Sequence, residues 1–421
     1  MNIYFSGIGG VGIGPLAEIA RDAGYSVAGS DPEESLMVKE LRAKDINIST
    51  TQDGTFLRAR HHDKPIDWFV YTAALPDDHP ELVLAHELGI RTAKRDEILA
   101  RIIDDKNLKL IAITGTHGKT TTTGMLVWTM KQLGIPVSYS IGTTTNFGPS
   151  GKLDILSEYF VYECDEYDRN FLHFNPYLAL ITSIDYDHSD TYPTVNDYFA
   201  AFRQFAAQSN QVITWNDQHY ELFSDMPRVS VINPSEVNSS LTVVGERNRR
   251  NATIVQNALE LLGFTQETDD ILNRFPGTDR RFEKLADNLY SDYGHHPVEI
   301  AATLQLAHEL SNQIVLIYQP HQNIRQHEVR DQYTNQFELA EEIYWLPTYL
   351  SREDKDPNLP ILKPEELIQN ITNKEHVHIV NFNNELWDII QRARRENKLV
   401  LFMGAGKIDS WLRNRLQSTY S

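Results

Sequence analysis

The stretch Leu108–Thr123 reads L-K-L-I-A-I-T-G-T-H-G-K-T-T-T-T, and it decides the fold of the middle of this chain. An apolar run leads into Gly115, and Gly118-Lys119-Thr120 follows just before a segment with helical spacing. A strand, a glycine turn and a helix predict a phosphate cradle, because backbone N–H groups and the positive helix end converge on an anion. Only two residues separate the glycines, where the general loop has four, so a plain glycine turn before an ordinary helix stays an alternative.

The side chains of this loop suit a nucleotide triphosphate. Lys119 can reach the terminal phosphates, and the hydroxyl of Thr120 can hold Mg²⁺. The phosphate-binding residues that the sequence predicts here are Gly115, Thr116, Gly118, Lys119, Thr120 and Thr121.

Length and composition narrow the class of protein. The chain has 421 residues, which predicts two to four domains, and its net charge is −19, which argues against binding to duplex nucleic acid. No apolar run reaches the roughly 18 to 20 residues of a membrane span, so no membrane partner is expected. One cysteine, Cys164, excludes an internal disulfide, and its apolar surroundings favour packing over a nucleophile. With no basic or apolar leader at the N-terminus, these features predict a cytoplasmic protein.

The N-terminus carries a second glycine motif. Residues 2–6 form a β-like run, G-I-G-G-V-G follows, and a helical segment leads to a strand at Tyr25–Ala28 that closes on Gly29-Ser30-Asp31. This order is the fingerprint of a dinucleotide-binding unit and by itself predicts NAD, although any ligand with a diphosphate can use the same turn. The ligand-binding candidates of this unit are Gly9, Gly10, Val11, Gly12, Ser30 and Asp31.

Acidic residues follow two apolar strands after the phosphate loop. The strand Tyr159–Cys164 ends in E-C-D-E, and the strand Leu178–Ile184 runs into D-Y-D-H. A carboxylate at a strand end beside a phosphate loop suits a Mg²⁺ ligand, which selects Glu163, and His188 suits a second cation or a phosphate. The alternative for the acid–histidine segment is a solvated loop.

The C-terminal part again alternates strands and helices, which predicts a parallel sheet. It begins with G-T-D-R-R-F, and a strand at Leu289–Asp292 leads into Y-G-H-H-P. A further strand, Gln313–Tyr318, ends in Q-P-H. The paired histidines suggest zinc, but no third ligand stands at metal spacing, so zinc is not favoured.

Six motifs occur in this order: G-I-G-G-V-G, T-G-T-H-G-K-T-T-T, E-C-D-E-Y-D, S-I-D-Y-D-H, G-T-D-R-R-F and D-Y-G-H-H-P. Together they resemble the Mur ligases, the ATP-dependent ligases that build the peptide of bacterial peptidoglycan, over essentially the whole chain. The resemblance implies an α/β protein of three domains. These are a Rossmann-like UDP-sugar-binding domain at 1–105, a P-loop ATPase-like domain at 106–280 and a Rossmann-like amino-acid-binding domain at 281–421.

The resemblance also implies the reaction and its partners. ATP phosphorylates the lactyl carboxylate of UDP-N-acetylmuramate, and the amine of an amino acid attacks the acyl phosphate. D-Y-G-H-H-P and the N-terminal glycine motif are similar to the branch of the family that adds L-alanine. The implied cofactors are ATP and two Mg²⁺ ions, and the implied partners are these small molecules, with no nucleic acid and no membrane. The chain is expected to be a monomer or a homodimer.

Individual residues receive implied roles from the same resemblance. The residues implied in catalysis are Lys119 and Arg281 on the ATP phosphates and His188 on the second Mg²⁺. The implied metal ligands are Thr120, Glu163 and His188. The remaining implied contacts are the adenine pair Asn248 and Asn251, the ribose acid Asp292, and the amino-acid residues Tyr293, His295 and Arg325.

The chain departs from the family pattern at two positions. Arg247 stands where the family usually has a histidine next to the first adenine asparagine. Gln322 stands where the family has the first of two arginines associated with the amino acid's carboxylate, and Arg325 is the second. The resemblance therefore supports ATP and UDP-sugar binding more firmly than it supports L-alanine.

Three alternatives stay open. The nearest is the recycling ligase of the same family, which attaches a preformed tripeptide to the same UDP-sugar. The second is an NAD-dependent oxidoreductase built on the N-terminal glycine motif, for which the second phosphate loop is superfluous. The third is a binding protein that has lost turnover, and Lys119, Glu163 and His188 argue against it.

Overall fold

The described part of the chain forms three β-sheets. The computed structural model describes residues 1–72, 75–188, 190–217, 219–350 and 359–420. Strands alternate with helices in all three sheets, which confirms the predicted α/β class. The chain forms two compact units, one of residues 1–241 with 250–275 and the other of residues 242–249 with 276–421. Within the described ranges, no helix is both long enough and apolar enough to span a bilayer.

The first sheet is parallel throughout, with strand order β3-β2-β1-β4-β5. Its strands are β1 Asn2–Ser6, β2 Ser26–Ser30, β3 Asn47–Ser49, β4 Trp68–Tyr71 and β5 Arg91–Ala93. Its helices are α1 Gly14–Asp22, α2 Leu36–Ala43, α3 Thr55–Asp63, α4 Pro80–Glu87 and α5 Arg95–Asp105. Strand β1 is buried at every position because it is the central strand of a sheet whose two faces are both covered.

The second sheet has seven strands in the order β12-β11-β10-β6-β9-β7-β8, and only the β7–β8 pair is antiparallel. Its strands are β6 Lys109–Thr114, β7 Val137–Ser140, β8 Gly151–Lys152, β9 Tyr159–Glu163, β10 Leu178–Ile181, β11 Gln211–Trp215 and β12 Val229–Ile232. The helices in this region are α6 Lys119–Gln132, α7 Val195–Gln208, α8 Glu246–Leu261 and α9 Asp269–Asn273. Because β6 lies between β9 and β10, the carboxyl ends of these three strands meet at one edge.

One predicted strand is longer than the strand observed. We predict Leu178–Ile184 from the apolar run, but β10 ends at Ile181. The chain leaves the sheet there because the backbone carbonyl of Ser183 accepts a hydrogen bond from the phosphate loop instead of from a neighbouring strand. The prediction at Tyr159–Cys164 differs by one residue, since β9 ends at Glu163.

The third sheet lies in the second compact unit, with strand order β13-β14-β18-β15-β16-β17. Its strands are β13 Glu283–Ala286, β14 Leu289–Asp292, β15 Ile314–Tyr318, β16 Glu342–Trp345, β17 Val377–Ile379 and β18 Leu399–Met403. The helices of this unit are α10 Pro297–His308, α11 Asn323–Val329, α12 Pro364–Leu367, α13 Asn384–Arg395 and α14 Ile408–Tyr420. All pairs are parallel except β13–β14, which confirms the predicted parallel character of this sheet.

Candidate active site

The turn between β6 and α6 requires its glycines. Gly115 has φ +127° and Gly118 has φ +87°, a backbone region that side chains other than glycine rarely adopt. A Cβ on Gly115 would also lie 2.6 Å from the backbone oxygen of Ser183. The chain can therefore pass close to the end of β10 and still start a helix at Lys119.

The loop is fastened to the segment that follows β10. Thr116 donates its backbone N–H to the Ser183 carbonyl at 3.1 Å and its hydroxyl to the Asp185 carbonyl at 2.7 Å. The same hydroxyl lies 2.8 Å from the hydroxyl of Tyr198. The backbone N–H and the hydroxyl of Thr116 are thus both engaged within the protein. The first turn of α6, which contains Thr121, supplies backbone N–H groups that no carbonyl of the helix accepts, as an anion site needs.

Lys119 lies across the mouth of this loop. Its ammonium group donates to the Gly115 carbonyl at 2.7 Å and to the two carboxylate oxygens of Glu166 at 2.8 and 3.0 Å. Asp165 is 3.9 Å away. Burial alone would lower the pKa of Lys119, but the carboxylates of Glu166 and Asp165 outweigh it and hold that pKa above its ordinary value. The lysine is therefore a stable cation at the loop.

Two of the predicted metal ligands are in direct contact. The hydroxyl of Thr120 donates to Glu163 Oε1 at 2.7 Å, and the other oxygen of Glu163 accepts the backbone N–H of Gly142 at 2.8 Å. Thr120 stands in the first turn of α6 and Glu163 at the end of β9, so the adjacency of β6 and β9 brings them together. A hydroxyl and a carboxylate are the oxygen donors that Mg²⁺ prefers.

His188 belongs to a neighbouring acidic cluster. Possible ligand atoms of Asp165, Glu166 and His188 lie within 4.8 Å of one another. The Nε2 atom of His188 is 3.6 Å from Glu166, and the residue has φ +61°, in the left-handed region. Burial alone would lower the pKa of His188, but hydrogen bonding to Glu166 and the charge of Asp187 raise it. Sequence reasoning missed Glu166, although the second glutamate of E-C-D-E was the signal available.

The two predicted adenine residues have different neighbours. Asn251 is buried in α8, and its Oδ1 would lie 3.0 Å from a Cβ on Gly118, so it packs against the phosphate loop. The preceding residue, Arg250, lies 4.4 Å over the ring of Trp215. Asn248 belongs to the other compact unit, where its side-chain amide donates to the Val244 carbonyl at 2.9 Å.

The N-terminal glycine loop is hydrogen-bonded to Asp31, the acidic residue of the same sequence motif. Gly9 donates its backbone N–H to Asp31 Oδ2 at 2.9 Å, and Gly10 donates to the Gly7 carbonyl at 3.0 Å. The hydroxyl of Ser30 donates to the buried carboxylate of Glu81 at 2.6 Å. The remaining predicted residues of this loop are Val11, whose side chain is 92% exposed, and Gly12, which packs beside Arg95.

In the second compact unit, Asp292 closes β14 as a buried carboxylate. It accepts the backbone N–H groups of Phe282 and Gly294, each at 2.7 Å. Burial raises the pKa of Asp292, although the charge of Arg281 acts in the opposite direction. The guanidinium of Arg281 lies 5.4 Å over the ring of Tyr293, so three of the predicted residues form one group.

His295 and Arg325 form a hydrogen-bonded pair in the same unit. Arg325 Nη1 lies 2.8 Å from His295 Nε2, and a guanidinium can only donate, so Nε2 must be the acceptor. The proton of the neutral ring is then on Nδ1, which donates to the Tyr293 carbonyl at 3.2 Å. Burial, helped by Arg325, lowers the pKa of His295 to about 4. The position of Gln322 is different, since its backbone has φ +56° and precedes α11.

The geometry defines the class: an α/β protein whose glycine loop, lysine, threonine and acid meet at one sheet edge, as in nucleotide-triphosphate-binding enzymes. Comparison with known families then identifies it more closely. "Mur ligase family, catalytic domain" matches residues 2–107, "Mur ligase middle domain" matches residues 113–239, and "Mur ligase, glutamate ligase domain" matches residues 280–406. The chain belongs to the Mur ligase family.

Individual relatives agree with this assignment. The UDP-N-acetylmuramate–L-alanine ligase of Clostridium novyi is 31% identical, and the match covers 96% of this chain and 95% of that one. Among solved structures, the UDP-N-acetylmuramate-alanine ligase of Thermotoga maritima gives a TM-score of 0.76 at 25% identity, over 100% of each chain. A murein peptide ligase from Psychrobacter arcticus shares the fold, with a TM-score of 0.64 at 22% identity over 99% of this chain and 98% of that one.

The neutral His295 predicts a dependence of stability on pH. The folded-state pKa of about 4 lies below the ordinary value of 6.5, so the unfolded chain binds more protons between these two values. We expect this histidine to contribute a loss of at most about 3 kcal/mol in the free energy of unfolding as pH falls from 6.5 to 4. In His295→Gln, which cannot titrate, urea unfolding should show a shallower fall over that window. His62→Gln, at an exposed position, is the control and should follow the wild type. Equal slopes in wild type and His295→Gln would contradict the assignment.

Proposed function

We propose that this protein is the ligase that joins L-alanine to UDP-N-acetylmuramate in peptidoglycan precursor synthesis, with hydrolysis of ATP. The observation that carries the proposal is that Lys119, bonded to the glycine loop, and the Thr120–Glu163 pair lie at the same edge of the second sheet. Phosphoryl transfer needs this arrangement because it depends on positioning and charge neutralisation more than on a reactive side chain. The names of the near relatives and the match over the whole chain supply the substrates.

The proposed reaction has two steps. The lactyl carboxylate forms a bond to the terminal phosphorus of ATP, and ADP leaves. The amine nitrogen of alanine then attacks the acyl carbon, loses a proton, and inorganic phosphate leaves from the tetrahedral intermediate. Lys119 neutralises charge on the transferred phosphoryl group, and the first turn of α6 offers its N–H groups to the phosphates.

The residues at the end of β9 fit a magnesium ion. Thr120 Oγ1 and Glu163 Oε1 are 2.7 Å apart, and both are the hard oxygen ligands that Mg²⁺ prefers; phosphate oxygens and water would complete its coordination. When bound, Mg²⁺ would neutralise the charge that develops between the transferred phosphate and ADP. We propose a second Mg²⁺ ion at His188, so that the enzyme binds two Mg²⁺ ions in all.

The other predicted residues receive substrate roles in the same proposal. The N-terminal loop, in which Gly9 is bonded to Asp31, binds the UDP diphosphate. The three domains of the proposal are residues 1–105, 106–280 and 281–421. The protein acts in the cytoplasm. The remaining contacts in the proposal are Asn248 and Asn251 with adenine, Asp292 with ribose, Arg281 with the ATP phosphates, and Tyr293, His295 and Arg325 with the amino acid.

Removal of the loop lysine tests the central step. We expect Lys119→Ala to lower kcat by about 10²- to 10³-fold, because no other group of the loop supplies that positive charge to the transition state. We measure kcat as the rate of phosphate release with ATP, Mg²⁺, UDP-N-acetylmuramate and L-alanine. Lys109→Ala, at the exposed start of the strand before the loop, should stay within about twofold of wild type. Turnover of Lys119→Ala above a tenth of wild type would rule the assignment out.

The magnesium site can be tested at its carboxylate. Glu163→Gln replaces a charged ligand with a neutral one, so it should raise the Mg²⁺ concentration for half-maximal turnover by about tenfold. Direct titration with Mn²⁺, followed by electron paramagnetic resonance in the presence of ADP, should show the same weakening. Glu158→Gln, an exposed carboxylate before the same strand, should leave both measurements unchanged. Identical titrations for Glu163→Gln and the wild type would mean that Glu163 is not a ligand.

The amino-acid pocket can be tested at Arg325. A guanidinium has five N–H donors, so Arg325 can bond His295 and a carboxylate at the same time. Arg325→Ala should raise the KM for L-alanine by about 10- to 100-fold, with ATP and UDP-sugar saturating. Gln322→Ala should raise it by less than about threefold, since a neutral amide is the weaker partner.

The same assay separates the recycling ligase from the alanine ligase. A panel of single amino acids and the preformed tripeptide is compared as the third substrate. Turnover with L-alanine supports the proposal, and turnover with the tripeptide alone would replace it. An unchanged KM in Arg325→Ala would show that the segment around α11 does not bind the carboxylate.

A further inference from the structure

Glu166, which the proposed reaction does not use, is the strongest unexplained group in the first compact unit. Its side chain is fully buried, three residues beyond the end of β9 at Glu163. Both of its carboxylate oxygens accept from Lys119. A buried carboxylate is costly unless it is paired, so its position beside the phosphate loop calls for an explanation.

The contacts of Lys119 are saturated by the protein itself. An ammonium group has three N–H donors. Within the described structure, three acceptor atoms lie at hydrogen-bond distance, namely the Gly115 carbonyl at 2.7 Å and the two Glu166 oxygens at 2.8 and 3.0 Å. A phosphate that binds Lys119 must therefore take at least one donor away from these acceptors. The Gly115 carbonyl is part of the turn, so Glu166 is the acceptor that loses a hydrogen bond from Lys119.

Glu166 is fixed independently of the lysine. Its backbone carbonyl accepts the hydroxyl of the buried Tyr192 at 2.6 Å and the backbone N–H of Arg169 at 3.1 Å. Its Oε1 also lies 3.6 Å from His188 Nε2. The lysine side chain has four flexible methylenes, whereas the carboxylate is held by its surroundings. The exchange is therefore a movement of the ammonium group away from Glu166.

We propose that Glu166 is a positioning residue: the counter-ion that holds Lys119 at the phosphate loop and competes with nucleotide phosphates for it. The inference rests on the proposed function, because it takes ATP to be the ligand of the loop. Without Glu166 a buried ammonium would lack its main partner, so the carboxylate stabilises the loop before nucleotide binds. Its negative charge beside the phosphate site also weakens nucleotide affinity and favours release of ADP.

The test measures nucleotide affinity directly. A non-hydrolysable ATP analogue is titrated by calorimetry into the full-length wild type and into Glu166→Gln. Mg²⁺ is saturating, so that a change in the proposed ion site beside His188 does not limit binding. Glutamine keeps the shape and one acceptor oxygen but removes the charge, and a neutral hydrogen bond is about half as strong a competitor. We expect the analogue to bind about five- to tenfold more tightly to Glu166→Gln. A packing defect would weaken binding, so tighter binding separates the positioning role from a merely structural one.

Asp165→Asn is the matched control. It removes the same charge from the adjacent residue, but Asp165 is 3.9 Å from Lys119 Nζ and its side chain is 41% exposed. Solvent screens such a pair, so the analogue affinity should change by less than about twofold. An equal tightening in Asp165→Asn would mean that general charge around the loop, and not Glu166, competes with phosphate, and would overturn the inference.

A second variant covers the case in which Glu166→Gln does not fold. Glu166→Asp withdraws the carboxylate by one methylene and should tighten binding of the analogue by about twofold, whereas unchanged or weaker binding overturns the inference. Unchanged or weaker binding of the analogue to a folded Glu166→Gln likewise overturns the inference. A wild-type protein that does not bind the analogue would overturn the proposed function and this inference with it. Wild-type binding without tightening in the variants overturns this inference alone.

Discussion

The close approach of the β6–α6 turn to the end of β10 is the constraint on which the nucleotide site depends. Gly115 lies so near the backbone of Ser183 that a Cβ would collide with it, and Thr116 then donates two hydrogen bonds to the same segment. Because of this contact, β10 ends at Ile181, three residues before the apolar run ends at Ile184. It also sets the direction in which α6 leaves the sheet, and hence the positions of Lys119 and Thr120.

Charge balance is the second constraint in this region. The carboxylate of Glu166 is buried and the side chain of Lys119 is only 15% exposed, so each offsets the desolvation of the other. Glu163 is held differently, by a hydroxyl and a backbone N–H, neither of which carries a charge. One acid is therefore matched to a cation of the protein. In the proposed function, the other is a ligand of Mg²⁺.

In the second compact unit, a guanidinium lies against a neutral ring. Arg325 is paired with a neutral histidine, and burial keeps that histidine unprotonated over the physiological range. A neutral imidazole orients Arg325 and leaves its charge uncompensated by that contact. The tautomer follows from hydrogen-bond donors and acceptors alone, since Tyr293 accepts from the other ring nitrogen.

The sequence by itself determined the α/β class, the positions of most strands and the residues of the phosphate loop. These features are local: glycine spacing, apolar runs and strand-end acids are written in consecutive residues. The tertiary structure alone decided that β10 stops at Ile181, because that end is set by a hydrogen bond from a loop about 70 residues earlier. It also decided the position of Glu166 beside Lys119, 47 residues away, and the pairing of His295 with Arg325, 30 residues away. Such contacts depend on which strands become neighbours and on how far water is excluded, and neither is encoded in any single stretch of the chain.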